Sequence, residues 1–340
     1  MAAIDADIIA AYIAAAASLL VAIIAYCGNR KTQLKVETLK GKLAERKSEN
    51  DARRDYVYEA RKRLYQECEP LLFQFYETGE NALHRVYSLA RTSRAGDLEP
   101  GASWLDGAGY YMVSTIYNLL APAAVFKMIQ RRLTFIDLGV ESHISAHYFL
   151  AKAIYLSFTD AFDLAARAPE LPYSPDEPGW EDKRMSSPAQ FWRQHVNLGR
   201  LDVAVEALVV KSSADPERLC SFGEFEDAFY DEQSPIGEAF NGFLDLFLSF
   251  HPRTRPILWR TLVAQAHIYL ALPRLCLDNA NARGTGMVYP IPADERTQFD
   301  WRAPAENASN AEVLEHPFSV SEAYLQAHLG KQFVVHEDQP

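Results

Sequence analysis

From Ile8 to Tyr26 the chain runs for nineteen residues without a charge: eight Ile, Leu or Val, eight Ala, two Tyr and one Ser. As a helix, at about 1.5 Å per residue, the run covers roughly 28 Å, close to the hydrocarbon thickness of a bilayer. Its strongly apolar members are Ile8, Ile9, Ile13, Leu19, Leu20, Val21, Ile23 and Ile24. At about 0.5 kcal/mol each they favour insertion by a few kcal/mol, against smaller costs at Tyr12 and Ser18. A buried core helix would hardly begin at residue 8 and stop at Asn29, Arg30 and Lys31. A cleaved signal peptide needs a basic leader, and here the leader holds Asp5 and Asp7. Ile24 to Gly28 approach a lipobox around Cys27, but the bulky Tyr26 stands where a small residue is required. The expectation is a membrane anchor.

Charge is distributed unevenly along the chain, and the distribution sets the expected orientation. Residues 1–28 carry two acidic residues and no basic one. Residues 29–63 hold twelve Lys or Arg against six Asp or Glu, and residues 64–340 hold twenty-two against thirty-seven. Cytoplasmic flanks collect Lys and Arg, so the N-terminus is expected outside and the main domain in the cytoplasm. Arg30, Lys31, Lys35, Lys40 and Lys42 follow the anchor closely and are expected to meet lipid headgroups, each attracted by about 1 kcal/mol near an anionic surface. An acidic body is a poor match for a nucleic acid backbone. Within the anchor, Ala10, Ala14 and Ser18, with Ala11 and Ala15 beside them, form small-residue faces that permit contact between copies.

Residues 31–68 read as one long polar helix, with one weak point at Gly41. Val36, Leu39, Leu43, Asn50, Val57, Ala60, Leu64 and Leu71 fall at alternating spacings of three and four, while Arg46, Arg53 and Glu67 share the same seam. A parallel coiled coil is one reading; a solvated stalk or a helix packed on its own body are the others.

After Pro70 the chain turns aromatic and apolar with helical spacing, as at Leu71, Leu72, Phe75, Tyr76, Leu83, Val86, Tyr87 and Leu89. Further helices are expected over Tyr110–Leu133 with Pro122 inside, Glu141–Ala168, Pro188–Lys211, Phe222–Asp231, Pro235–Phe250 and Pro256–Asn281. A proline-rich surface loop separates Pro169 from Pro188. Beyond Asn281 the composition becomes polar, and an extended tail is expected, closed by a short helix that Ser319 and Glu322 would cap. The predicted class is all-α. Its parts are a single transmembrane anchor (1–28), a basic juxtamembrane helix (29–69), a cytosolic multi-helix bundle (70–281) and an irregular C-terminal tail (282–340).

Chemistry-bearing patterns are sparse. Arg260 and His267 stand two turns apart on one expected helix face, where Arg could hold a phosphate and His act as general acid or base. Over these eight residues the chain resembles the HEPN-like ribonucleases, helical enzymes that pair an Arg with a His a few residues on. Thr261 stands where members carry Asn, Asp or His. That resemblance implies a membrane-tethered ribonuclease with Arg260 and His267 as its catalytic residues. His143 and His147, one turn apart with Asp137 and Glu141 near, are half of a metal site or else polar packing residues. Gly284, Thr285 and Gly286 are too few glycines for a phosphate loop, and no cofactor is expected. Cys27, Cys68, Cys220 and Cys276 are scattered, as small buried residues of a reducing compartment are. Phenylalanines from Phe222 to Phe250 form a stripe that is either core packing or the wall of a lipid pocket. The function expected from these features is a membrane-anchored interaction or signalling module on the cytoplasmic side. It would self-associate through anchor and stalk and bind a protein partner.

Overall fold

The computed structural model describes residues 2–99, 101, 103–133, 138–159, 194–212, 216–278 and 293–302. The chain divides into two compact units, Met1–Arg61 and Lys62–Pro340. Described residues are mostly helical, with one antiparallel pair of two-residue strands. The 169–188 loop and the capped helix expected near Ser319 lie outside them.

The first unit is helical from Ala2 onward, as part of helix α1 (Ala2–Ala95). Gly28 and Gly41 do not break it, and a Cβ at either would meet nothing within 4 Å. Hydroxyls that could disturb it are turned inward: Ser18 Oγ donates to the Ala14 carbonyl at 2.8 Å and Thr32 Oγ1 to that of Gly28 at 2.9 Å. Such i−4 bonds keep a polar side chain satisfied without water.

In the second unit α1 turns a buried line inward: Leu64, Cys68, Leu72, Phe75, Ala82, Val86 and Leu89. Three- and four-residue steps put these on one face. Helix α1 continues through Pro70. Proline there withdraws the N–H that would bond the Gln66 carbonyl. Both residues face outward, where water can satisfy the freed oxygen.

Helix α2 (Tyr110–Arg132) is the centre of the body, buried along most of its length and through Pro122. It is apolar and long enough to cross a membrane, but 83% of that stretch is covered by the rest of the protein, as in a core helix. Packed on it are α3 (Ser142–Leu156), α4 (Leu198–Ala207), α5 (Phe222–Phe229) and α6 (Pro235–Phe247). Between α4 and α5, β1 (Val209–Val210) pairs with β2 (Arg218–Leu219). Helix α7 (Pro256–Asp278) packs against α3, and α8 (Ala293–Arg296) leads into a 3-10 turn at Thr297–Phe299.

Several helix limits differ from the sequence reading for local reasons. Helix α3 stops at Leu156 rather than continuing to Ala168, because Ser157 Oγ and Thr159 Oγ1 donate to the Ile154 and Leu156 carbonyls and close a turn. Asn197 caps α4 by accepting from the Arg200 N–H at 2.9 Å, so that helix begins at Leu198. Ser221 and Glu224 form a reciprocal capping box on α5. Within the expected extended tail, residues 293–299 are helical. Phe299 is fully buried with its ring 4.9 Å from that of Tyr87, and Trp301 meets His251 edge-on at 5.4 Å.

Candidate functional site

The eight strong apolar residues expected to form an anchor, Ile8, Ile9, Ile13, Leu19, Leu20, Val21, Ile23 and Ile24, are all exposed, and with Tyr12 and Tyr26 they range from 49% to 74%. No part of the most apolar stretch is buried by protein. In water, leaving such side chains bare forfeits about 1.5–3 kcal/mol apiece. In lipid the same helix is self-sufficient, since its backbone polar groups pair internally and Ser18 is bonded to its own helix. Arg30, Lys31, Lys35, Lys40 and Lys42 are exposed on the continuation of that helix.

The pair that carries the ribonuclease resemblance sits differently. Arg260 is half-buried on α7, while His267 is 1% exposed and belongs to the packed interior. RNA phosphate cannot reach an imidazole enclosed in this way without the helix being uncovered. His147 is likewise fully buried, and its Nε2 shares a hydrogen bond with the Tyr76 hydroxyl, ring edge to face at 5.7 Å. The side chain of His143 lies outside the described residues. Among those described, no group of three or more His, Cys, Asp or Glu could hold a metal ion.

Burial pushes the Cys68 and Cys220 thiols up to about 11, aided by the nearby carboxylates of Glu67 and Glu224, so neither is a thiolate at neutral pH. Cys27 is exposed, and Cys276 has no described side chain. The phenylalanine stripe is core. Phe225, Phe229, Phe240, Phe243, Phe247 and Phe250 are buried; the rings of Phe225, Phe229, Phe240 and Phe243 meet at 5.0–6.4 Å, and those of Phe247 and Phe250 at 6.5 Å.

One cluster has the composition of a catalytic triad. Ser93 Oγ lies 3.2 Å from His251 Nε2, and Glu99 Oε1 lies 3.6 Å from the same nitrogen. His251 Nδ1 accepts the Arg253 backbone N–H at 3.1 Å, so a neutral ring carries its proton on Nε2. A proton relay needs the acid and the hydroxyl on opposite nitrogens. Here both face one nitrogen that donates, and the cluster serves to tie α1 to the turn before α7.

A polar network that pairwise spacing in the sequence does not reveal joins α2 to α4 and to Glu217, the residue before β2. The Arg131 guanidinium reaches Glu206 at 2.6 Å and both oxygens of Glu217 at 2.9 Å, and Lys127 reaches Asp202 at 2.6 Å. Tyr155 also bonds Asp202, with the Lys127 ammonium 4.6 Å from its ring centre. Burial raises the pKa of Asp202 and of Glu206, but hydrogen bonds outweigh it. Lys127 and Tyr155 lower Asp202, and Lys211 and Arg131 lower Glu206. Beside this network a groove of about 1040 Å³ opens between α4 and α6. Arg200 and Lys211 line it together with Glu206, Glu238 and Asp245, a near-balance of signs that selects neither anion nor cation. Gly242 lets the Arg200 guanidinium lie on α6, where a Cβ would stand 3.0 Å from it.

The described residues thus offer an exposed apolar stretch of helix followed by a basic one, and a packed helical body. No protein-family model matches the chain, and neither a curated protein nor a solved structure is significantly similar to it.

Proposed function

We propose that this protein is a membrane-anchored interaction or signalling module whose helical body faces the cytoplasm and binds a protein partner. The observation that carries the reading is the complete exposure of Ile8 through Tyr26 on an unbroken helix, a surface that lipid would cover. Position of charge supports the orientation: Arg30, Lys31 and Lys35 follow the run closely and no Lys or Arg precedes it. Self-association belongs to the same reading. Small residues at Ala10, Ala14 and Ser18 would let anchors approach, and around Asn50 the flanking Glu49 and Arg54 are of opposite sign, as pairing copies require.

Alkaline extraction of membranes tests the anchor. Full-length protein is expected in the pellet and a variant lacking residues 2–28 in the supernatant. Release of the full-length chain into the aqueous fraction overturns the reading.

A further inference from the structure

Residues 293–302 form a strap held to the rest of the second unit at two places. At the first, Phe299 and Glu295 both meet Tyr87 on α1, the ring at 4.9 Å and the carboxylate at 3.3 Å from the hydroxyl. At the second, Trp301 stands edge-on to His251, 5.4 Å between ring centres. The two attachments differ in kind. The second is centred on an imidazole, the side chain whose charge ordinarily changes near about pH 6.5.

His251 organises the turn before α7 through both its backbone and its ring. Its carbonyl accepts from the N–H groups of Thr254 at 3.0 Å and Arg255 at 2.9 Å, and from Thr254 Oγ1 at 3.1 Å. Its Nδ1 accepts the Arg253 N–H at 3.1 Å, which leaves the ring proton on Nε2 to be donated to Ser93 Oγ on α1 at 3.2 Å. Arg255 carries the turn on to the end of α6, where its guanidinium donates to the carbonyls of Asp245, Leu246 and Leu248. One neutral imidazole thus joins α1, the α6–α7 turn and the strap.

A second proton on that ring has a single destination, Nδ1, and there it meets the Arg253 N–H. Two donors then point at each other. His251 is only 5% exposed, so neither donor can turn to water, and each keeps the full cost of its lost solvation. The neighbouring charges add to this. Arg253 and Arg302 hold their guanidinium carbons 6.0 and 5.0 Å from the centre of the Trp301 ring, so the π system beside His251 already serves two cations and a third is repelled. Asp300, on the strap, accepts the Arg302 N–H at 3.1 Å. Glu99, on the loop after α1, works the other way, with Oε1 3.6 Å from Nε2, but its side chain is 53% exposed and water screens it.

We propose that His251 is a proton-operated catch. Neutral, it holds the α6–α7 turn and the end of the strap in place; on taking up a proton it surrenders the Arg253 bond and frees residues 251–255 and 300–302, while Phe299 keeps its seat on Tyr87. The folded arrangement binds the neutral ring, so the catch is complete while the ring is neutral and is lost as pH falls and the ring charges. The device lies within the second unit and is independent of the anchor and of partner binding.

Amide hydrogen exchange read by mass spectrometry tests it, on the full chain in detergent micelles at pH 7.5 and pH 5.5, with each rate normalised to the intrinsic chemical rate at that pH. Ordinary carboxylates stay charged across this range, so their titration does not intrude. Peptides spanning 249–256 and 299–302 are expected to exchange roughly tenfold faster at the lower pH, and peptides from α2 to be unchanged. In chains carrying nitrogen-15 histidine, the protonation of His251 and the rise in exchange should share one midpoint. His251→Gln keeps a donor and an acceptor but does not titrate, and should abolish the acid step. Glu99→Gln removes a group that welcomes the second proton in the closed form, so it should enlarge the acid opening.

The inference is overturned if exchange in the two segments is the same at both pH values, if the acid step survives in His251→Gln, or if Glu99→Gln diminishes it. It is also overturned if the ring of the unaltered chain becomes charged while the segments stay protected. A His251→Gln chain that exchanges fast at both pH values also lacks the acid step, and the coincidence of midpoints in the unaltered chain then decides.

Discussion

Gly79 on α1 lies against Tyr269 on α7 so closely that a Cβ built on it would stand 2.7 Å from Cδ1 and 3.1 Å from Cε1. Tyr269 is enclosed and packs on Phe75 as well, with ring centres 6.5 Å apart, so it has nowhere to withdraw. Gly79→Ala is expected to cost about 1–3 kcal/mol through overpacking. At Gly41, which faces open space, the same change should instead stabilise the helix by up to about 1 kcal/mol. Thermal unfolding of the two variants checks the pair. Equal effects would remove the close contact from the account.

Tyr269 makes a second prediction. Its hydroxyl is buried and has no hydrogen-bond partner among the described residues, and burial alone drives its pKa up. Tyr269→Phe removes a desolvated polar atom without breaking a bond, so stability should hold or rise by about 1 kcal/mol. Tyr155→Phe deletes a bond to Asp202 and should lower stability by a similar amount. Urea midpoints distinguish the two, and a drop for Tyr269→Phe as large as that for Tyr155→Phe would contradict the assignment.

Acid should loosen the body. Asp202 and Glu206 have folded-state pKa values below their ordinary 3.8 and 4.5, because Lys127, Tyr155, Lys211 and Arg131 bond their charged forms more strongly than burial opposes them. A group held below its unfolded pKa contributes stability that is complete above the unfolded value and is lost as pH falls through the folded one. The loss is therefore expected below about pH 4.5. Arg131→Met should destabilise at neutral pH by about 1–2 kcal/mol, a figure already reduced for partial exposure, and should flatten the acid dependence. Denaturant unfolding between pH 7 and pH 3 measures both effects.

Orientation can be read by insertion assays. Ala16→Lys places a charge near the middle of the anchor and should disfavour insertion by about 2.5–3.5 kcal/mol. Removing Arg30, Lys31 and Lys35 while adding three Lys before Ile8 should invert a fraction of the chains, seen as altered protease access to an N-terminal tag. An unchanged pattern would count against charge as the orienting force.

Legibility in the sequence followed the range of the interaction concerned. Apolar spacing from Leu71 to Leu89 foretold the buried side of α1, and Pro235 and Pro256 marked true helix starts, because these are local signals. That α1 would run unbroken through Pro70 was not legible, since the effect of a proline depends on whether the freed Gln66 carbonyl meets water, which is a matter of facing. The end of α3 turned on two hydroxyls, Ser157 and Thr159, whose back-bonding competes with the helix only in a particular setting. The bonds of Arg131 span 75 and 86 residues, and no periodicity announces a pair that far apart. Phe299 and Trp301 were visible as large aromatics in polar surroundings, a signal that composition averaged away. As for the candidate chemistry, spacing placed Arg260 and His267 on one helix but could not reveal that His267 points into the core.

The seating of Phe299 against Tyr87, and of Trp301 over His251, bears on where the polypeptide can be cut. Stopping translation anywhere before Ala293 would strip both rings from their seats and uncover one flank of the first helix at Tyr87. A shortened product of that sort should be a ready substrate for proteases, whereas one ending just past Arg302 keeps every aromatic lock described for this flank.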